Sequence, residues 1–131
     1  GTSQLGQIEK FKEKRASIKE QYDGLLSEIY SISVPTQRNG VEPMWHLYPL
    51  QVEPGSRRKV FEYLRGVGIG VQVNYLPAYW HPVFSSNEYP RGLCPVAEEF
   101  YSREISLPMH VDLPVSDLEL ITIRVKEALS Q

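Results

Sequence analysis

Three histidines are the residues of this sequence best suited to proton transfer or metal binding. They lie in separate segments, at His46, His81 and His110. No two are three or four positions apart, the spacing that places two metal ligands on one face of a helix. An isolated histidine is more often a packed or solvent-exposed residue than a ligand. We therefore predict structural or surface roles for all three histidines, and no metal site.

A single cysteine and a pair of adjacent glutamates offer little more chemistry. Arg91 is the one basic residue close to Cys94 in the sequence, so we do not expect an activated thiolate. Because one cysteine forms no internal disulfide, a reducing compartment is the expected setting. Glu98 and Glu99 would diverge by about 100° on a helix, which predicts a solvated face and not a shared catalytic proton. The residues alone therefore provide no catalytic set.

The segment 71–84, VQVNYLPAYWHPVF, is the best candidate for a binding site. It alternates like a strand at its start and then becomes a loop rich in aromatic residues and proline. Polar and aromatic side chains at the end of a strand commonly bind ligands. The candidates are Asn74 and Tyr75 at the strand end and Tyr79, Trp80 and His81 in the loop. The same loop could instead only cover the core, and the pattern leaves both interpretations open.

Composition limits the class of protein. The 131 residues are 41% hydrophobic and 23% charged, with a net charge of -2, values typical of one globular domain. The sequence contains no block of lysine and arginine residues, so it gives no indication of nucleic acid as a partner. No apolar run reaches the roughly 18 residues of a membrane span, and no signal peptide opens the chain, so a cytoplasmic location is predicted. The start without methionine leads us to expect a chain cut from a longer one.

Hydrophobic periodicity predicts four helices. The first runs from Gln4 to about Tyr30, and the others are expected at 57–65, at 96–102 and after Ser116. Ser56 and Ser116 are the predicted N-caps.

Strands are predicted at 44–52, from Val71 and at 104–107, with loops at 31–43 and 108–114. Pro49 lacks an amide donor, which favours an edge or a bulge for the first strand. The order of elements predicts an α+β fold in which helices cover a small sheet.

Five blocks in a fixed order carry a resemblance to a known family. They are SQL at 3–5, WHLYP at 45–49, GIGVQVNYLP at 68–77, AEEFY at 97–101 and ISLPMH at 105–110. Together they resemble the carboxy-terminal part of the DegT/DnrJ/EryC1/StrS-type sugar aminotransferases, over essentially the whole chain. Within that family, AEEFYSREISLP and the HPVF loop look most like the UDP-sugar aminotransferases of the pseudaminic acid pathway.

The resemblance implies a fold and a function. Residues 1–131 would form the small carboxy-terminal domain of a fold type I transaminase, a two-layer domain that begins in the long interdomain helix. Pyridoxal phosphate would be held by a lysine of an upstream large domain, so this chain would contain no catalytic or cofactor-binding residue and would be inactive alone. The complete enzyme, expected to be a homodimer, would transfer an amino group from glutamate to a 4-keto UDP sugar.

The resemblance also implies a substrate site. Family members commonly carry valine, histidine and tyrosine where this chain has Val73, Asn74 and Tyr75. Asn74, Tyr75, Leu76 and Pro77 are thereby predicted to bind the nucleotide sugar. An asparagine amide can donate and accept hydrogen bonds but does not titrate near neutral pH. His46 is predicted to be a packing and hydrogen-bonding residue that orders the sheet.

Other functions stay open on the sequence alone. One is a free-standing ligand-binding module, with a regulatory role as one option, that uses the same loop. Another is a relative that acts on a different sugar, or a dehydratase in which histidine replaces the cofactor lysine. A third is a dimerisation element, since an excised domain would expose apolar surface.

Overall fold

The computed structural model describes residues 5–84 and 89–131. The described part contains four helices, which we name α1 (Ile8–Leu26), α2 (Arg57–Gly66), α3 (Pro95–Arg103) and α4 (Val115–Ser130). Its three strands are β1 (Ile32–Ser33), β2 (Tyr48–Val52) and β3 (Glu104–Leu107). Two short 3-10 turns, Ala78–Trp80 and Pro82–Phe84, follow the predicted site segment.

The strands form one antiparallel sheet in the order β1-β2-β3. Tyr48 pairs with Leu107, and Gln51 pairs with Glu104. β2 buries alternate residues, whereas all four residues of β3 are buried. Because successive side chains of a strand point to opposite faces, β3 is covered on both faces.

One hydrophobic core joins the sheet to α1, α2 and α4. Tyr22 of α1 packs on Tyr48 of β2, with ring centroids 4.7 Å apart. The Tyr48 hydroxyl donates a hydrogen bond to Asp23 Oδ1 at 2.8 Å, and the Tyr22 hydroxyl donates to the Pro108 carbonyl at 2.9 Å. Burial raises the pKa of both tyrosines. These bonds fix α1 against the sheet and against the segment that follows β3.

Two predicted features of the sheet are wrong. β1 lies inside the segment 31–43, predicted as a loop, because a two-residue strand is too short to produce a periodic pattern. The strand predicted from Val71 forms only a single bridge, between Gln72 and Ser106. Its apparent alternation reflects the burial of Val71 in the core, at 2% exposure.

The predicted first strand is shorter than expected, and Pro49 lies in the middle strand of the sheet. β1 pairs only with Gln51 and Val52. Within the described residues, Pro49 therefore has a named strand on one side only. The local environment is that of an edge, which proline tolerates.

The predicted helix ends also need correction. α1 ends at Leu26 instead of Tyr30, while Gln4 lies outside the described residues. Its amino-terminal apolar residue Ile8 is 44% exposed, so the helix packs mainly through its later turns. Ser56 makes no side-chain cap and has helical dihedrals, and α4 begins at Val115, one residue before Ser116. The three later helices otherwise lie where periodicity predicts them.

Candidate functional site

A cavity of about 640 Å³ opens where the chain leaves the Gln72 bridge. The residues that line it are Asn74, Tyr75, Pro77, Cys94, Pro95, Val96, Ala97 and Phe100. Three of the four residues predicted to bind substrate thus share one wall. The fourth, Leu76, is half-buried and does not line the cavity.

Backbone pairing with β3 determines where Asn74 lies. Gln72 exchanges two backbone hydrogen bonds with Ser106, of 3.1 and 2.8 Å. Two residues later, the Asn74 amide donates to the Glu104 carboxylate at 2.7 Å, and Asn74 Nδ2 donates to Gln72 Oε1 at 3.3 Å. The peptide bond between Asn74 and Tyr75 is cis, and the Tyr75 side chain is 70% exposed. Asn74 is therefore anchored, and Tyr75 projects at the cavity rim.

Glu104 belongs to this site, although its sequence pattern indicates only the start of a strand. Its side chain is fully buried, and besides the Asn74 amide it accepts a hydrogen bond from the Ser106 hydroxyl. Burial raises the pKa of Glu104, opposed by the hydrogen bonds from Ser106 and Asn74 and by the charge of Arg57. The sequence signal for this role is an acidic residue at the start of the short strand EISL, because a carboxylate buried in a strand requires hydrogen-bond donors nearby.

The opposite wall is the first turn of α3, fastened by Glu98. The carboxylate of Glu98 accepts hydrogen bonds from the Tyr79 hydroxyl and from the Gly92 amide, the latter at 2.6 Å. Desolvation and the Glu98 contact raise the pKa of Tyr79 to about 12. The Tyr79 hydroxyl in turn lowers the pKa of Glu98. The prediction that Glu98 belongs to a solvated face is therefore wrong, whereas Glu99 is exposed.

Trp80 is held in a stack of alternating cations and rings. The Arg91 guanidinium lies 4.2 Å from the Trp80 ring centroid, and Tyr101 meets Trp80 edge-on at 5.6 Å. Arg57 lies 4.7 Å from the Tyr101 ring and donates to its carbonyl. Neither Trp80 nor Tyr79 lines the cavity. Tyr79 and Trp80 do not pack against the hydrophobic core of the described residues either, so they follow neither interpretation of the aromatic loop and instead support the cavity wall from behind.

The remaining candidates fall outside or at the margin of this cavity. Cys94 is exposed and lines the cavity at the start of α3. His81 is exposed and does not line it. His46 is also exposed and makes no side-chain hydrogen bond within the described residues, contrary to its predicted role in ordering the sheet. The described residues contain no cluster of side chains arranged to hold a metal ion.

Residues 1–126 match the DegT/DnrJ/EryC1/StrS aminotransferase family. The chain belongs to this family. The match covers nearly the whole length, as the five ordered sequence blocks predict.

Curated relatives of this chain include a nucleotide-sugar transaminase. It is 31% identical over 136 residues to the uncharacterised protein MJ1066 of Methanocaldococcus jannaschii, covering 100% of this chain and 35% of the relative. It is 30% identical over 126 residues to the UDP-4-amino-4,6-dideoxy-N-acetyl-beta-L-altrosamine transaminase of Campylobacter jejuni, covering 92% of this chain and 33% of that enzyme. The chain spans about a third of the length of the curated relatives it matches.

Solved structures share the fold. Helicobacter pylori PseC, an aminotransferase involved in pseudoaminic acid biosynthesis, matches with a TM-score of 0.89 and 26% identity over 99% of this chain and 36% of PseC. The Streptococcus pneumoniae protein Spr1654, in its PMP-form, matches with a TM-score of 0.90 and 25% identity over 99% of this chain and 33% of its own. The predicted α+β fold of a small aminotransferase domain is thereby confirmed.

The described residues do not by themselves fit pyridoxal phosphate. Transaminase chemistry with this cofactor uses a lysine amine, and no lysine lines the cavity. The wall formed by α3 and the Asn74 turn is instead mainly apolar.

None of the described helices is long and apolar enough to cross a membrane.

Proposed function

We propose that this chain is the small domain of a cytoplasmic, pyridoxal-phosphate-dependent aminotransferase that transfers an amino group from glutamate to a 4-keto UDP sugar. The family match over residues 1–126 is the observation that supports an aminotransferase. The likeness to the Campylobacter jejuni transaminase and to PseC supports a UDP sugar of the pseudaminic acid type. In this proposal the cofactor supplies the electron sink, and it is bound by a part of the enzyme outside this chain.

The cavity suits the sugar end of such a substrate. Asn74 offers amide donors and an acceptor, and Tyr75 offers a hydroxyl, which are groups that bind sugar hydroxyls. Val96 and Phe100 provide an apolar wall for a sugar ring face or a deoxy carbon. No lysine or arginine lines the cavity, so the diphosphate must be bound elsewhere. Substrate orientation is therefore the role of these residues.

The chain alone is expected to be inactive. Its cavity is open and lacks an amine that could bind the cofactor. Tyr75 and Val96, which are 70% and 80% exposed, form an apolar rim beside it. In the complete enzyme, a cofactor-binding domain and a second subunit are expected to cover this rim.

An Asn74→Ala variant of the complete enzyme tests the site. We expect the dissociation constant for the UDP sugar, measured by calorimetry, to rise about fivefold to tenfold, because one hydrogen-bonding side chain is lost. The visible absorbance of the bound cofactor should stay the same. Asn39→Ala, in an exposed turn, is the matched control. Unchanged sugar affinity would remove Asn74 from the substrate site.

The nucleotide of the substrate can be tested separately, because another relative is a dTDP-sugar transaminase of Streptomyces venezuelae, at 26% identity over 84% of this chain. Comparing UDP with dTDP as competitors decides between them. Tighter binding of dTDP would contradict the UDP assignment while leaving the enzyme class intact.

A further inference from the structure

A second cavity, of about 350 Å³, lies between α1, the residues before β2 and the segment after β3. It is distinct from the cavity beside Tyr75. Arg15, His46, Gln72 and His110 line it, together with apolar residues and Ser106. Two of the three histidines, which are far apart in sequence, thus meet an arginine at one place.

Arg15 is the decisive residue of this cavity. Its Nε atom is buried and has no hydrogen-bond partner, and no carboxylate within the described residues forms an ion pair with it. A guanidinium offers five donors in a planar fork. Leaving such a buried donor unpaired is costly. Arg15 therefore brings to this cavity a guanidinium that has no ion-pair partner among the described residues.

The cavity is held in shape by contacts on both sides of Arg15. Tyr22 donates to the Pro108 carbonyl at 2.9 Å, and Lys14 forms an ion pair with Asp112 at 2.9 Å. Both contacts join α1 to the segment that carries His110. A site shaped in advance loses less entropy when a ligand binds.

The charge around the cavity favours an anion. No aspartate or glutamate is among its lining residues within the described part of the chain. Asp112, two residues after His110, is engaged by Lys14, which lowers the pKa of that carboxyl more than His110 does. A cationic cavity on a chain with a net charge of -2 is a local feature and not an effect of overall charge.

We propose that this cavity binds a small oxyanion, a phosphate or carboxylate group, through the guanidinium of Arg15 with His46 and His110 as flanking donors. Arginine binds such groups through paired N–H donors. Gln72 lines this cavity and also accepts a hydrogen bond from Asn74 Nδ2, so the anion site adjoins the Asn74 wall. The assignment does not depend on the proposed aminotransferase activity.

The test is an NMR titration of the full chain with labelled histidines. Inorganic phosphate and glutamate are added separately, with sodium chloride adjusted to keep the ionic strength constant. We expect the imidazole signals of His46 and His110 to shift saturably, with a dissociation constant in the millimolar range of about 1–10 mM. His81 lines neither cavity and should not respond. Tighter phosphate binding identifies a phosphate group, and tighter glutamate binding identifies a carboxylate.

Two variants make the test specific. Arg15→Gln should weaken binding at least about fivefold, whereas Arg65→Gln, an exposed arginine with the same change in charge, should leave it unchanged. If Arg15→Gln does not fold, as judged by circular dichroism, the exposed His110→Ala replaces it and should weaken binding about threefold. The absence of saturable shifts, equal shifts at His81, or full binding by the folded variant would overturn the proposal.

Discussion

At the scale of single residues, Glu104 connects the sheet to the candidate site. Its backbone pairs with Gln51 in the sheet, while its buried carboxylate accepts a hydrogen bond from the Asn74 backbone amide. Asn74 is therefore positioned by a residue that does not line the cavity. Removing the acceptor should affect both stability and substrate geometry, since buried donors would lose their partner.

We expect Glu104→Ala to lower the free energy of unfolding by about 2–4 kcal/mol, because it leaves the Asn74 amide and the Ser106 hydroxyl without an acceptor. Denaturant unfolding measures this loss. Val115→Ala, at an exposed helix start, is a control that should change stability by less than about 0.5 kcal/mol. A loss as small as that of the control would show that the carboxylate does not anchor Asn74.

The raised pKa of Glu104 predicts how stability changes with pH. The folded protein holds this proton more tightly than the unfolded chain does. The stability from this group is therefore complete below the unfolded pKa of about 4.3 and is lost as pH rises through the higher folded pKa. The advantage of wild type over Glu104→Gln should shrink from pH 4 to pH 7 in urea titrations. An advantage that grows over this range would contradict the raised pKa.

At the scale of elements, the start of α3 depends on the loop before it. The Glu98 carboxylate accepts hydrogen bonds from the Tyr79 hydroxyl and the Gly92 amide. The Cys94 amide donates a hydrogen bond to the Tyr79 hydroxyl at 3.3 Å. These bonds close the loop onto the helix. Without them, the α3 wall of the cavity would open more often.

Glu98→Gln should therefore speed hydrogen exchange of the Gly92 and Cys94 amides about tenfold, because a neutral amide is a weaker acceptor than a carboxylate. Exchange followed by NMR gives the rates. Glu99→Gln makes the same chemical change one residue later, where the side chain is exposed and faces Arg103 at 3.5 Å. Equal acceleration in the two variants would mean that Glu98 does not close the loop.

Elements with several turns could be predicted from the sequence, and short or long-range features could not. The apolar spacing of Val60, Phe61 and Leu64 predicts α2, because a helix repeats its buried face locally. β1 exists only through its pairing with Gln51 and Val52. Likewise, the meeting of Arg15 with His110 depends on contacts between α1 and the segment after β3, which no local pattern encodes.

The predicted substrate residues show the same limit. Resemblance to the family indicated the Asn74 turn, and the structure places three of the four predicted residues on one cavity wall. The opposite wall, from Pro95 to Phe100, could not be assigned to the site because its apolar residues look like an ordinary helix face. Solvent exposure of Val96 distinguishes it from core only once the fold is known.

At the scale of the whole molecule, one core connects every named helix except α3 to the sheet. Leu50 lies in the middle strand and is fully buried. Leu50→Ala should reduce the free energy of unfolding by about 2–5 kcal/mol, since it removes packed methyl groups and leaves a cavity. Thermal and denaturant unfolding should give one coincident transition.

Leu120→Ala provides the comparison for this core, because Leu120 is in α4 but is 44% exposed. It should change stability by less than about 1 kcal/mol. Similar losses in the two variants, or two separate transitions in wild type, would contradict a single cooperative core.

The stack around Trp80 gives this molecule an optical reporter beside its candidate site. Of the two tryptophans, Trp45 lies near Lys19 of α1, whereas Trp80 lies between Arg91 and Tyr101, behind the cavity wall. Nearby charges shift indole fluorescence. A Trp45→Phe variant would therefore confine the emission to Trp80, and the filling of the neighbouring cavity could be followed by light alone, without a labelled ligand or a turnover assay.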